Sequence, residues 1–460
     1  MAIDKKVLVI GLDCATPQLV FDRWLDDLPN IKSLVEKGIF GKLKSTIPPI
    51  TVPAWTSMLS SKSPGVLGFY GFRNRKNHTY DEMYFATSAA VKEDRVWDIL
   101  SRHGKRSIVV GVPQTYPPRP LNGLLISGFL APDTESQYTY PAELKAEISK
   151  AAGDFILDVK KFRTENKDDL IRQIYQMTEN RFQVATYLMD HHDWDFFMFV
   201  EMGIDRIHHG LWKYFDEKHR LYDPNSPYRD ELKKYYRYVD QQVGGVLDRT
   251  DENTVILVVS DHGAQRMEGG ICLNEWLIRE GYLKLKAMPG EITQLKNDNI
   301  DWSGTRAWGS GGYYGRLFMN VKGREPQGVI ERDDYEKVRD ELIAKLEAIE
   351  DEQGVNIGTR VFKPEDVYPQ VKNVAPDLII YFGNLAWRSV GSVGFGSIHT
   401  FENDTGPDDA NHSQHGILVM ANAGLKPGRR DGMHLMDVAP TILDVFDIPV
   451  PDDMEGKSLL

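Results

Sequence analysis

Short apolar runs recur along the whole chain: Val7–Leu12, Ser107–Val112, Leu124–Ser127, Phe196–Val200, Val255–Val259, Leu378–Tyr381 and Ile417–Met420. Each is rich in Val, Ile, Leu or Phe and most are bounded by Gly, Pro or Asp, the pattern of strands covered on both faces. Amphipathic helical patterns lie between them. Asp168–Met189 repeats Leu170, Ile174, Met177, Phe182, Ala185 and Leu188 on one stripe, and Tyr335–Ile349 and Met436–Phe446 are similar. This alternation predicts an α/β fold: a doubly wound, largely parallel central sheet with helices on both faces.

The rhythm breaks between residues 271 and 376. That stretch holds Gly309-Ser310-Gly311-Gly312, then Tyr313-Tyr314, a strand-like Leu317–Val321 and one amphipathic helix. We therefore expect a core in two parts, 1–270 and 377–460, with 271–376 as an insertion or cap. Val393–Gln414 reads as a long irregular loop, and loops of that length in compact domains are usually functional.

Composition narrows the function. A net charge of −12 removes the driving force for nonspecific nucleic-acid binding, so a nucleic-acid polymer is not an expected partner. The two cysteines, Cys14 and Cys272, exclude a disulfide framework and a thiolate-rich zinc cluster. No stretch approaches the ~20 apolar residues of a membrane helix. The first apolar run ends at Asp13 without a cleavage-site pattern, so the expectation is a soluble, cytoplasmic protein with no membrane partner.

Parallel sheets bind ligands at the carboxyl ends of their strands, and there the runs deliver ligand-type residues. The first closes on Asp13. Phe196–Val200 leads to Asp205, Arg206, His208 and His209, and Val255–Val259 leads to Asp261-His262. His412 and His415 lie at the end of the long loop, before Ile417–Met420. Taken singly, an Asp at a strand end is more often a helix cap, and a lone His a satisfied polar residue. Together they fit a di-metal constellation of zinc or manganese type. Thr51 lies just before a helix whose first turn Pro53 can open, where an anion is favoured; alone, it would read as a helix cap.

The order Asp13, Thr51-Val52-Pro53-Ala54-Trp55-Thr56, Asp205-x-x-x-His209, Ser260-Asp261-His262-Gly263 and His412 resembles the alkaline phosphatase superfamily. Within it the chain is similar to the type I phosphodiesterase/nucleotide pyrophosphatase group, in its microbial phosphohydrolase/phosphomutase-type branch. Asn320–Arg324 and Asp437–Leu443 add to the match. The resemblance implies two divalent ions, one held by Asp13, Thr51, Asp261 and His262, the other by Asp205, His209 and His412. His415 competes for the last place. It implies Thr51 as nucleophile and a covalent phospho-enzyme. Two such ions would balance the three carboxylates and the ionised hydroxyl, charge for charge.

One departure matters. Where the group has an Asn that holds a phosphoryl oxygen, this chain has Ala54, so the donor must be another group: the backbone N–H after Thr51, Thr56, Arg73, Arg206 or His208. Trp55, Tyr313 and Tyr314 are expected to shape a substituent pocket, the two tyrosines as a lid after their Gly run. A sulfatase would need Cys or Ser at Thr51 and Arg at Trp55. The expected substrate is a small phosphate ester, a nucleotide or cyclic dinucleotide among the candidates, with diesters preferred over monoesters. A phosphomonoesterase or phosphomutase on the same core is the second reading, and a metal-stabilised binding protein the third.

Overall fold

The central sheet has ten strands, and its three middle ones carry the site. In the computed structural model, which describes residues 5–460, these strands are β1 (Lys6–Leu12), β2 (Ile39–Lys44), β3 (Ser107–Val112), β4 (Gly123–Ser127), β5 (Thr139–Tyr140), β6 (Phe196–Glu201), β7 (Thr254–Val259), β8 (His415–Ala421), β9 (Gly428–Arg429) and β10 (Met433–His434). They lie in the order β9-β2-β8-β7-β1-β6-β3-β4-β5, with β10 also on β2. Pairing is parallel except at β8 and β5. The sheet is thus mixed and mostly parallel, as the apolar runs predict. Among the described residues, no helix is long and apolar enough to cross a membrane.

The runs explain the placement. β3, β6 and β7 are buried along their whole length, and each fully buried Val, Ile or Phe stabilises by about 1.5–3 kcal/mol. Gly11 of β1 lies beside Val200 of β6 and Val259 of β7, so three parallel strands end at one level. The residues that follow them, Asp13, Asp205 and Asp261, therefore emerge side by side.

A second, four-stranded antiparallel sheet orders Ala307–Ser310, Gly315–Met319, Leu378–Tyr381 and Arg360–Phe362. It has its own apolar core, with Trp276, Trp302, Leu317 and Leu342. Leu378–Tyr381, grouped with the main core in the sequence reading, belongs here: a four-residue apolar run looks the same in either sheet. The long loop is less irregular than expected. Its Ala410–Ser413 forms a strand antiparallel to Gly263–Arg266, pairing His412 with Ala264.

Candidate active site

The helix Thr51–Ser60 is buried throughout and opens at the carboxyl edge of the sheet. Thr51 is its first residue, with Pro53 in the first turn; Ile50 holds the cap position. The Thr51 hydroxyl does not cap the helix and stands 3.2 Å from Nε2 of His262. Asp13 reaches the site because Gly11 has no side chain. A Cβ there would meet the Trp55 indole at 2.7 Å, and that indole instead lies over β1 and donates to Oδ2 of Asp13 at 2.7 Å. Cys14, in the left-handed region at φ 66°, turns its N–H to Oδ1 of Asp261 at 3.3 Å.

Asp205 and His209 share one face of the helix Gly203–Phe215, with Nε2 of His209 3.3 Å from Oδ1 of Asp205. His412 arrives through its strand pairing. It stacks on His262 with ring centroids 3.7 Å apart, and its Nε2 lies 3.7 Å from Oδ1 of Asp205. Its Nδ1 is engaged by the Pro49 carbonyl at 2.8 Å. His415 is exposed at the start of β8, so of the two loop histidines only His412 enters the site.

Oδ1 of Asp13 and Oδ2 of Asp261 are buried without a hydrogen-bond partner, and Oδ1 of Asp205 and Nε2 of His209 approach each other at 3.3 Å without forming a hydrogen bond. Leaving such atoms bare costs about 1–3 kcal/mol each, more for charged groups, unless something occupies the space between them. Ligand atoms of Asp13, Asp261 and His262, and of Asp205, His262 and His412, lie within 4.8 Å of one another. These buried groups could hold metal, and His262 stands between the two sets.

The electrostatics of the bare protein agree. Burial, then the nearby Asp205, pushes the Asp13 carboxyl well above the usual carboxylate range. Burial and Asp13 do the same to Asp261. For Asp205 burial also opposes ionisation, but His209 and Arg206 outweigh it and hold the group well below that range. Burial pushes the His262 imidazole down to about 4 and His412 well below its ordinary value, leaving both neutral, the form that ligates. At His209 burial is outweighed by Asp408, Tyr313 and Asp205, which push the imidazole well above its ordinary value, so the shortage of positive charge lies around Asp13, Asp261 and His262.

Two acidic partners were not singled out from the sequence. Asp408, whose side chain is fully buried, takes Nδ1 of His209 at 2.7 Å and also accepts from Arg163 at 2.9 Å and Arg388 at 3.2 Å. Engaging Nδ1 directs the free Nε2 toward Asp205. Asp158 holds Arg206 through two bonds, at 2.9 and 2.7 Å, while a third nitrogen of Arg206 reaches Asp205. Their only sequence signal is an Asp within an otherwise irregular segment.

A cavity of about 810 Å³ opens over Thr51, Asp205 and His412, between the sheet edge and the small second sheet. Arg73, Arg206, Tyr313 and Tyr314 line it. Trp55 and His208 do not: Trp55 is buried against Asp13, and Nε2 of His208 faces the Tyr236 hydroxyl at 3.0 Å inside the core. Their apolar and polar faces were consumed by packing rather than left for a ligand. Thr56 is likewise tied to Gln114. The expected tyrosine lid is anchored. Tyr313 stacks on His412 and His209, at 4.3 and 4.9 Å, and Tyr314 donates to the Tyr70 carbonyl at 2.6 Å.

Three carboxylates beyond the ends of adjacent strands thus face imidazoles and a helix-borne threonine in one buried site. Residues 7–408 match the family model described as Type I phosphodiesterase / nucleotide pyrophosphatase, and the chain belongs to that family. Membership supports phosphoryl hydrolase activity. Among solved structures, the chain is similar to human ectonucleotide pyrophosphatase/phosphodiesterase 5, with TM-score 0.58, 13% identity and coverage of 98% of this chain and 97% of that one. The murine counterpart, an inactive variant in complex with AMP, gives 0.55, 13%, 97% and 96%. Phosphonoacetate hydrolase from Sinorhizobium meliloti 1021, in complex with phosphonoformate, gives 0.62, 14%, 95% and 94%. At these identities the likeness is one of fold. Comparison with curated protein sequences gives no match.

Proposed function

We propose that this chain is a di-metal phosphodiesterase or nucleotide pyrophosphatase that works through Thr51. Asp13, Thr51, Asp261 and His262 would hold one divalent ion, and Asp205, His209 and His412 the other, zinc and manganese both suiting this oxygen and nitrogen donor set. Such ions, when bound, ease ionisation of a neighbouring hydroxyl and offset the charge of a phosphoryl group. The observation that carries the reading is the Thr51 hydroxyl, buried at a helix N-terminus on the cavity floor beside His262 and the unpartnered carboxylate oxygens.

The chain's own groups then have defined tasks. The helix N-terminus favours an oxyanion at Thr51. The threonine oxygen attacks phosphorus, one ester bond breaks, and the departing oxygen takes a proton. Water hydrolyses the resulting phosphothreonine and regenerates Thr51. Arg206, fixed by Asp158 and lining the cavity, would hold a phosphoryl oxygen in place of the side chain missing at Ala54. The aromatic side of the cavity suits a second ester substituent, such as a nucleoside, which favours diesters.

The test is hydrolysis of bis(4-nitrophenyl) phosphate and 4-nitrophenyl phosphate under identical metal loading. The diester should have the higher kcat/KM. Thr51→Ala should lower kcat by about 10³-fold or more with the fold intact, and Thr51→Ser should restore part of it. A native rate in Thr51→Ala would make water the direct attacker. A clear monoester advantage would move the assignment to a phosphomonoesterase.

A further inference from the structure

Six arginines line the cavity, and they differ in what neutralises them. On the Thr51 side, Arg163 and Arg388 share Asp408, while Arg206 is held by Asp158 and Asp205. On the side formed by the second sheet the balance is different. Arg73 and Arg75 lie two apart on the short strand Arg73–Arg75, so their side chains leave the same face. Arg316 comes from the facing strand Gly315–Met319 and donates Nη1 to the Arg73 carbonyl at 2.6 Å and Nη2 to Oγ of Ser310 at 2.8 Å.

Among the described residues, neither Arg73 nor Arg316 has a carboxylate within ion-pair distance. Arg75 pairs with Glu325 at 3.4 Å and donates to the Thr79 carbonyl at 3.2 Å, which leaves its Nε buried without a partner. Three guanidiniums thus meet one carboxylate in a chain whose net charge is −12. Flat rings flank them: Arg73 lies 4.9 Å from the Phe85 ring, and Arg75 lies 5.1 Å from Trp308 and 5.0 Å from Phe318. Forked donors that outnumber their carboxylates, set against aromatic walls, are the chemistry that binds an oxyanion carried on a planar group.

We infer that this side of the cavity is a second anion subsite, in which Arg73, Arg75 and Arg316 hold a phosphate or carboxylate borne by the ester substituent. The inference rests on the hydrolase reading of the same cavity and specifies its substrate: a diester or anhydride with a second negative group beyond the reacting phosphorus.

Three mixed diesters test it: 4-nitrophenyl esters whose other ring is phenyl, 4-carboxyphenyl or 4-phosphonophenyl phosphate. All release nitrophenolate and differ only in distal charge. The native protein should take a charged ring with at least tenfold higher kcat/KM than the phenyl ester. The better of the two charged rings distinguishes carboxylate from phosphate. Arg316→Gln and Arg73→Gln should each bring the ratio toward one, and Arg316→Lys should keep part of it. A purely structural role for these arginines would lower all three substrates alike and leave the ratio intact, which would overturn the subsite, as would a native ratio near one.

Calorimetric titration with phenylphosphonate separates the two readings. If no ester is hydrolysed but native protein binds the probe at least tenfold more tightly than Arg316→Gln, the hydrolase assignment fails and the subsite stands. If hydrolysis proceeds without charge preference and both proteins bind the probe equally, the subsite fails and the hydrolase stands.

Discussion

His209 has its Nε2 free because Asp408 occupies its other nitrogen, and Asp408 in turn is held ionised against burial by His209, Arg163 and Arg388. A ligand imidazole without such a partner loses its tautomer and its aim. Asp408→Asn should therefore leave the fold in place and weaken binding of zinc or manganese about 10–100-fold, read by calorimetric titration. Unchanged affinity would show that His209 needs no positioning. The contrast with Asp13, Asp205, Asp261 and His262 is instructive. Those four follow apolar runs within a few residues, so strand periodicity points to them. Asp408 lies 199 residues from His209, and Asp158 lies 48 from Arg206. Such partnerships exist only through space.

The central strands also tolerate little change at one unusual glycine. Gly111 interrupts β3 at φ 68°, where the register with β4 shifts. A Cβ there would fall 1.5 Å from Nη1 of Arg181, a buried guanidinium that donates to the Val200 carbonyl of β6 at 3.2 Å. Gly111→Ala should combine backbone strain with displacement of Arg181 and cost about 3 kcal/mol or more, seen as a lower urea midpoint. A midpoint shift equivalent to less than about 1 kcal/mol would mean that the sheet absorbs the change. Strands with apolar runs were readable because burial on both faces demands Val, Ile and Phe. Gly263–Arg266 and Ala410–Ser413 were not, since Gln265, Arg266, Asn411 and Ser413 carry no such pattern. Backbone pairing alone makes those strands, and it carries His412 to the site.

Across the whole molecule, stability should fall in mild acid for a reason outside the active site. Nδ1 of His434 accepts the Met436 N–H at 3.1 Å, and Nδ1 of His219 accepts the Leu221 N–H at 3.1 Å. Burial pushes both imidazoles down to about 4. The folded state thus prefers them neutral, while the unfolded chain protonates them near pH ~6.5. Their contribution is fully present above about pH 6.5 and is lost as pH falls toward 4. His434→Asn, which keeps an acceptor but does not titrate, should flatten the decline in urea midpoint between about pH 7.5 and 4.5; an unchanged slope would exclude His434 as a source. At this scale the division between sequence and structure is clear. The sequence by itself determined the α/β alternation, the acidic residues beyond the strand ends and the threonine at a helix start, because each is a local consequence of periodicity, burial or chain direction. Tertiary structure decided which loop histidine enters the site, that Trp55 supports Asp13 instead of facing a ligand, and that Arg73, Arg75 and Arg316 converge. Those outcomes depend on which distant segments pack together, and packing selects a side chain's neighbours only after the strands have found their order.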